Sequence, residues 1–157
     1  GEGMTTIASD GKTVAADGQC TAGNEILSTD RVKLEVCQDC VLAFSGTAAL
    51  QPVAFKWFKE GADPAKVDGF LKDKDWTLAV FRQDVAEYYR NDCPHPLEVP
   101  YPTACGSGED YAIGALMAGA SPKEAIEIAC VKDTMTSGKI TVVEIPRKAE
   151  KLAEAAE

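Results

Sequence analysis

The stretch TTIASDGKTVAADGQ, residues 5–19, decides how the rest of the chain is read. Thr5 to Ser9 alternates and is rich in β-formers, and Asp10-Gly11 is a strong two-residue hairpin signal. Lys12 to Ala16 then pairs back as a second strand, which Asp17-Gly18 ends. A chain that opens on such a hairpin, with small residues on both strands, commits its first segment to a sheet.

Working outward, RVKLEVC (31–37) and CVLAFS (40–45) predict another hairpin around Gln38-Asp39. Residues 47–60 carry Ala49, Val53, Phe55, Trp57 and Phe58 at mixed spacing. They predict a helix with Pro52 near its first turn, where a missing N–H is harmless, and Gly61 stops it. A short helical turn covers 64–71. Trp76 to Arg82 and Val85 to Arg90 read as strands around Gln83-Asp84. Residues 93–102 hold four prolines and read as an irregular loop. Thr103 to Cys105 reads as a short buried strand running into Gly106-Ser107-Gly108. Helices follow at about 109–118 and 122–134, the second opening on Ser121-Pro122-Lys123-Glu124, an N-cap with Pro at the first position and Glu three residues on. Lys139 to Ile145 predicts the last strand. No internal repeat is visible. The order predicts an α+β fold, a four-layer αββα sandwich of two antiparallel sheets between helical layers.

Length and charge bound the function. A chain of 157 residues suits one well-buried core. Residues 5–146 are expected to form that domain, with 147–157 a charged, helical or frayed tail. With 25 acidic against 16 basic residues the net charge is -9, which disfavours nucleic acid and anionic membrane as partners. No apolar run approaches the roughly 20 residues of a membrane span. The N-terminus does not read as a signal peptide, and six cysteines without one suggest free thiols in a reducing cytoplasm. Met4 reads as an initiator methionine, with Gly1 to Gly3 a remnant of an expression tag; alternatively residues 1–4 are a short propeptide.

If Met4 is removed, Thr5 becomes a residue with a free α-amine and a hydroxyl. That amine titrates at about 7.7–8.0, so one residue supplies both nucleophile and general base. A threonine after a methionine means little alone; its surroundings carry the argument. Thr5-Thr6-Ile7, Ala16-Asp17-Gly18-Gln19, Thr21-Ala22-Gly23-Asn24 and Lys33 together resemble the opening of proteasome β-subunits. They resemble still more the bacterial HslV-like peptidase family, both being N-terminal nucleophile hydrolases. Asp17 and Lys33 are 16 residues apart, the family spacing. The resemblance implies that Lys33 lies beside the nucleophile and lowers its pKa while Asp17 keeps the lysine charged. Ala43-Phe44-Ser45-Gly46-Thr47-Ala48-Ala49 looks like the family's strand-to-helix turn, where the Gly46 N–H would donate to an oxyanion; Leu50 departs from the usual aspartate there.

Gly106-Ser107-Gly108 matches the family's Gly-Ser-Gly, which implies that Ser107 helps to relay protons of the threonine amine, although the same tripeptide also suits a plain N-cap. Asp133 and Ser137-Gly138 sit where the family places an aspartate and then a serine. Their separation is one residue longer than usual, so either the loop bulges or Thr134 takes the aspartate's place. Cys20, Arg31, Phe44 and Ala48 resemble the substrate side-chain pocket; Phe44 and Ala48 would make it partly apolar and Arg31 would favour an acidic side chain. The likeness covers most of 5–145 and is patchy over 61–102, where the chain is short and lacks most of the family's second helix.

Two competing chemistries remain open on the residues. Cys37-Gln38-Asp39-Cys40 with Cys93 and His95 would suit zinc, but Cys37 and Cys40 flank a hairpin turn and cysteine is commonly a small buried hydrophobe. A thioredoxin-like role for the pair fits poorly, because it does not precede a helix. His95 is the single histidine, set between Pro94 and Pro96, so a Ser-His or Cys-His mechanism has little to draw on. An N-terminal threonine needs no histidine, metal or cofactor.

The expectation is therefore a threonine-type peptidase acting through an acyl-enzyme on Thr5. With residues 1–4 attached, its amine is tied up in a peptide bond and the site is blocked. The rivals are a small-amide hydrolase of the same fold and a catalytically silent assembly protein. The resemblance further implies a homo-oligomeric ring, peptide or unfolded-protein substrates and a cooperating ATPase unfoldase.

Overall fold

A computed structural model describes residues 5–147 apart from 68 and 73, so the readings made for 1–4 and for the tail beyond 147 lie outside the described residues. In chain order the elements are β1 (Thr6–Ser9), β2 (Thr13–Ala16), β3 (Cys20–Ala22), β4 (Glu25–Ser28), β5 (Leu34–Val36), β6 (Val41–Gly46), α1 (Gln51–Lys59), α2 (Gly69–Lys72), β7 (Trp76–Phe81), β8 (Ala86–Arg90), β9 (Cys93–Val99), β10 (Thr103–Gly106), α3 (Glu109–Met117), α4 (Pro122–Lys132) and β11 (Thr141–Glu144).

Alternation along the strands builds the layers, because successive side chains leave a strand on opposite faces. Ile7, Val14, Ala16 and Cys105 point one way from the antiparallel sheet β10-β1-β2-β11, and Ala8, Ala15 and Ala104 point the other. The first set meets Val41, Ala43, Ala79, Phe81 and Tyr88 from the antiparallel sheet β5-β6-β7-β8-β9. The second set packs on Ala112 and Leu116 of α3 and Ala125 and Ile126 of α4. From the far face of the five-stranded sheet, Leu42, Phe44, Leu78 and Val80 pack on Ala54, Phe55 and Trp57 of α1. The order α1, sheet, sheet, α3–α4 is the expected αββα sandwich. The alanines of β1, β2 and β10 let the α3–α4 layer lie close, since small side chains set the spacing there.

The predicted hairpins form at Asp10-Gly11 and Gln38-Asp39, with Val36 opposite Val41 in the second. Residues 47–60 become helical in two steps, a 3₁₀ turn over Ala48–Leu50 and then α1 with Pro52 in its first turn. At α4 the capping box is complete: the Glu124 N–H donates to Ser121 Oγ at 3.1 Å and the Ser121 N–H to Glu124 Oε1 at 3.0 Å.

Two readings need correction. Residues 93–99 are not an irregular loop but strand β9, paired with β8 at the edge of its sheet. Pro94, His95 and Pro96 stand opposite the single residue Tyr89, between the pairs Tyr88↔Leu97 and Arg90↔Cys93. The prolines thus occupy a bulge on an edge strand, where a missing N–H breaks no ladder bond. The hairpin β3–β4 around Gly23-Asn24 was not anticipated as strands; it forms a separate two-stranded sheet.

Leu42 is fully buried between the five-stranded sheet and α1. Leu42→Ala is expected to lower stability by about 2–5 kcal/mol, seen as a lower urea midpoint at unchanged slope.

Candidate active site

The two ends of the first hairpin bring Thr6 and Asp17 together. The Asp17 N–H donates to the Thr6 carbonyl at 3.3 Å, and the Thr6 N–H returns to Asp17 Oδ1 at 3.1 Å. Lys33, the residue before β5, reaches the same oxygen with its Nζ at 2.8 Å. Asp17 Oδ2 accepts from the Ser137 N–H at 3.1 Å. Asp17 is fully buried and Lys33 is only 3% exposed. Burial pushes the Lys33 pKa down, while the charge and hydrogen bond of Asp17 oppose that fall.

The loop that delivers Ser137 is held by backbone contacts. Its carbonyl accepts from the Gly18 and Gln19 N–H groups at 3.1 and 3.0 Å, and the Lys139 N–H donates to the Thr29 carbonyl at 2.7 Å. Gly138 has φ +84°, and a Cβ there would lie 2.3 Å from the Thr29 carbonyl oxygen, so only glycine fits.

Thr5 stands at the entry to β1, buried, with its carbonyl accepting from the Ser107 N–H at 2.8 Å. Its neighbour across that bond, Gly106, has φ +104°, and a Cβ there would overlap the Thr5 carbonyl. Thr5, Lys33 and Gly46 line one cleft of about 290 Å³ together with Cys20, Arg31, Phe44 and Ala48. Gly46, at φ +153°, ends β6 against Trp76 and Phe44, where a Cβ would lie a tight 3.0–3.1 Å from its neighbours. Arg31 is tied to the cleft wall, Nη2 donating to the Ala48 carbonyl at 2.9 Å and to Gln51 Oε1 at 3.4 Å. Phe44 serves two ends, lining the cleft and stacking on Trp76 in the core beneath α1. A larger cleft of about 510 Å³ between β5 and α1 contains none of the residues singled out from the sequence.

On the other flank, Ser107 Oγ donates to Asp133 Oδ2 at 2.6 Å, and Thr136 Oγ1 donates to the same oxygen at 2.5 Å. The Met135 N–H reaches Asp133 Oδ1 at 3.2 Å. Burial pushes the Asp133 carboxyl up, but these three hydrogen bonds outweigh it and hold the pKa below the ordinary value. Thr136 is the residue that sequence reasoning missed. Buried at 1% exposure, it also bonds Thr6 Oγ1 at 2.6 Å, and Thr6 Oγ1 accepts from the Gly108 N–H at 2.9 Å. A signal existed: Thr136 is the hydroxyl three residues after Asp133, the spacing at which the resemblance looks for a serine. Ser137 instead meets Asp17 through its backbone.

The structure therefore gathers Thr5, Lys33, Gly46 and the four pocket residues around one cleft. Asp17 lies behind Lys33, and Ser107 and Asp133 form a pair on the far side of Thr5. Among the described residues no group of three or more His, Cys, Asp or Glu is placed to hold a metal ion. Cys37, Cys40, Cys93 and the other cysteines are unbridged. No helix among the described residues is long and apolar enough to cross a membrane.

Two antiparallel sheets between helical layers are the architecture of N-terminal nucleophile hydrolases, and here a threonine enters the first strand beside a buried lysine–aspartate pair. The particular likeness is to the HslV-like, proteasome β type. The structure is similar to eukaryotic HslV from Trypanosoma brucei at 20% identity, covering 91% of this chain and 99% of that one with a TM-score of 0.74. It is also similar to the BPH protein of Thiobacillus denitrificans, solved in complex with epoxomicin, at 20% identity, 91% and 99% coverage and a TM-score of 0.62. Such identity makes the likeness one of fold. No family model and no curated protein matches the sequence.

Asp17→Asn keeps the shape but removes the charge that faces Lys33, and is expected to cost about 3–5 kcal/mol in chemical denaturation at neutral pH. Asp133 gives a separate pH signature. Its folded pKa lies below the ordinary 3.8, so its contribution is present above that value and lost as pH falls through the lowered one. The stability gap between the parent and Asp133→Asn should therefore close in acid, as read by urea melts between about pH 6 and 2.

Proposed function

We propose that the chain is a proteasome-like threonine peptidase whose nucleophile is Thr5 Oγ, active once Met4 is removed. The observation that carries this is the placing of Thr5 in a cleft wall with Lys33, itself held by a fully buried Asp17. The freed α-amine takes the hydroxyl proton, and Oγ attacks the scissile carbonyl. A lysine charge beside the hydroxyl favours its alkoxide form, and Asp17 fixes where that charge sits. Its lowered pKa also suits Lys33 to share a proton at modest cost. The Gly46 N–H takes the oxyanion.

Ser107, bonded to the low-pKa Asp133, orients the amine and a water, while Ser137 acts through its N–H, which helps to hold Asp17 behind Lys33. The C–N bond then breaks, the departing nitrogen takes the proton held by the amine, and water hydrolyses the acyl-threonine. While Met4 remains attached, the nitrogen of Thr5 is an amide, so the precursor lacks its base. Arg31, the cationic side chain of the pocket beside Phe44 and Ala48, favours an acidic side chain on the acyl half. The same proposal carries a homo-oligomeric ring with its sites facing an inner chamber, unfolded-protein substrates, a cooperating ATPase unfoldase and a cytoplasmic setting.

In protein beginning at Thr5, Thr5→Ala should lower turnover of fluorogenic peptides by roughly 10⁴-fold or more, to the level of the uncleaved precursor. The parent's rate should fall on the acid side as the α-amine protonates below about pH 7.7–8.0. An epoxyketone should form a covalent adduct with Thr5, read by mass spectrometry. Undiminished turnover in Thr5→Ala sinks the proposal.

A further inference from the structure

The mouth of the sandwich continues beyond Thr5. A second cleft of about 420 Å³ is built from the ends of β6, β7 and β8 and the turn after β10, lined by Ser45, Trp76, Gly106 and Ser107 among others. Ser107 joins it to the nucleophile, since its N–H holds the Thr5 carbonyl at 2.8 Å. Ser45 joins it to the first cleft, since the next residue, Gly46, lines that one. The first cleft thus includes Thr5 with Lys33 and Gly46, and the second neighbours Thr5 through Ser107.

Their charges are opposite. Among the described residues Arg31 and Lys33 line the first cleft and no carboxylate does, Asp17 pairing with Lys33 from behind the wall. Among the described residues Asp75, Asp92 and Glu109 line the second, against Arg90. Burial and the neighbouring Asp110 push the Glu109 carboxyl up in spite of Arg90, the condition of an anion short of positive charge. Asp75 has a neutral partner, the Asn91 side-chain amide at 3.4 Å. On a chain of net charge -9 the acidic cleft is unexceptional by sign. What singles it out is its link to Thr5 through Ser107, together with a neighbouring cleft whose described lining holds Arg31 and no carboxylate.

We infer that the second cleft receives the amine half of a bound peptide, the half that leaves, and that it selects a lysine or arginine just after the scissile bond. The inference rests on the Thr5 hydrolysis proposed above. In that reaction the acyl carbon bonds to Thr5 Oγ, the C–N bond breaks, and the departing nitrogen carries away the proton that Oγ gave to the α-amine. With the acyl side chain in the Arg31 cleft, the departing half lies toward Ser107. Opposite fields on the two sides then orient the peptide as well as select it.

The test uses the full chain with a free Thr5 and three internally quenched peptides that share one acyl half and carry Lys, Ala or Glu directly after the scissile bond. The expected order of kcat/KM is Lys, then Ala, then Glu, with Lys over Glu by roughly tenfold at low salt and less at about 0.5 M salt. Asp92 is exposed, and Asp92→Lys should reverse the order; Glu109→Gln should narrow it. A reversal is not something a folding defect produces. Equal kcat/KM for all three peptides, in protein whose cleavage depends on Thr5, overturns the subsite and leaves the hydrolase proposal standing. No cleavage of any peptide together with no epoxyketone adduct on Thr5 overturns both.

Discussion

Asp17 takes hydrogen bonds from Lys33 Nζ and the Thr6 N–H on one oxygen and from the Ser137 N–H on the other, with no exposure to solvent. Removing a carboxylate and an ammonium from water costs several kcal/mol per ion, so such a pair persists only where its surroundings hold both partners. The three donors come from the start of β1, from the residue before β5 and from the loop before β11. One carboxylate therefore ties the first strand, the edge of the second sheet and the C-terminal loop to a common point. It does so beside the cleft that Thr5 and Lys33 line. The interaction is poor as a source of net stability and strong as a constraint on geometry.

What could be read from the sequence was mostly local. Asp10-Gly11 and Ser121 with Glu124 act within a few residues, and both formed as expected. Strand alternation made two sheets legible, because each strand of the core meets a different layer on each face. The failures have physical reasons. Pro94 and Pro96 argued against a strand because a ladder needs N–H donors, but β9 is an edge and bulges at those residues. The β3–β4 strands are short and expose Ile26 and Leu27, so no apolar period marks them.

The candidate site was legible only through a resemblance carried by an ordered set of motifs, among them Thr5-Thr6, the Asp17 and Lys33 spacing and Gly106-Ser107-Gly108. Thr136 escaped because its bond to Thr6 spans 130 residues and no window of sequence contains it. The cysteines are the reverse case, a metal-like pattern that the sequence already reads as the flanks of a hairpin turn. Cys40 belongs to the core beneath α1 and burial pushes its thiol up to about 12, so it packs as a small hydrophobe. His95 sits in the exposed bulge of β9.

The way Thr5 is held bears on whether it can be a nucleophile at all. A reacting group must be fixed to within a fraction of an ångström, yet its reacting atoms must not be consumed by the bonds that fix it. Among the described residues the start of β1 is anchored through the Thr5 carbonyl, which Ser107 holds, and through Thr6, whose N–H and hydroxyl go to Asp17, Thr136 and Gly108. The second threonine of the pair carries the side-chain anchoring, and the first is held through its carbonyl. Gly106 and Gly108 make that possible, since a Cβ at either would strike the Thr5 carbonyl or the Thr6 hydroxyl. The Thr5-Thr6 pair and the Gly-Ser-Gly turn are thus two halves of one device, and substituting Thr6 would disturb the position of Thr5.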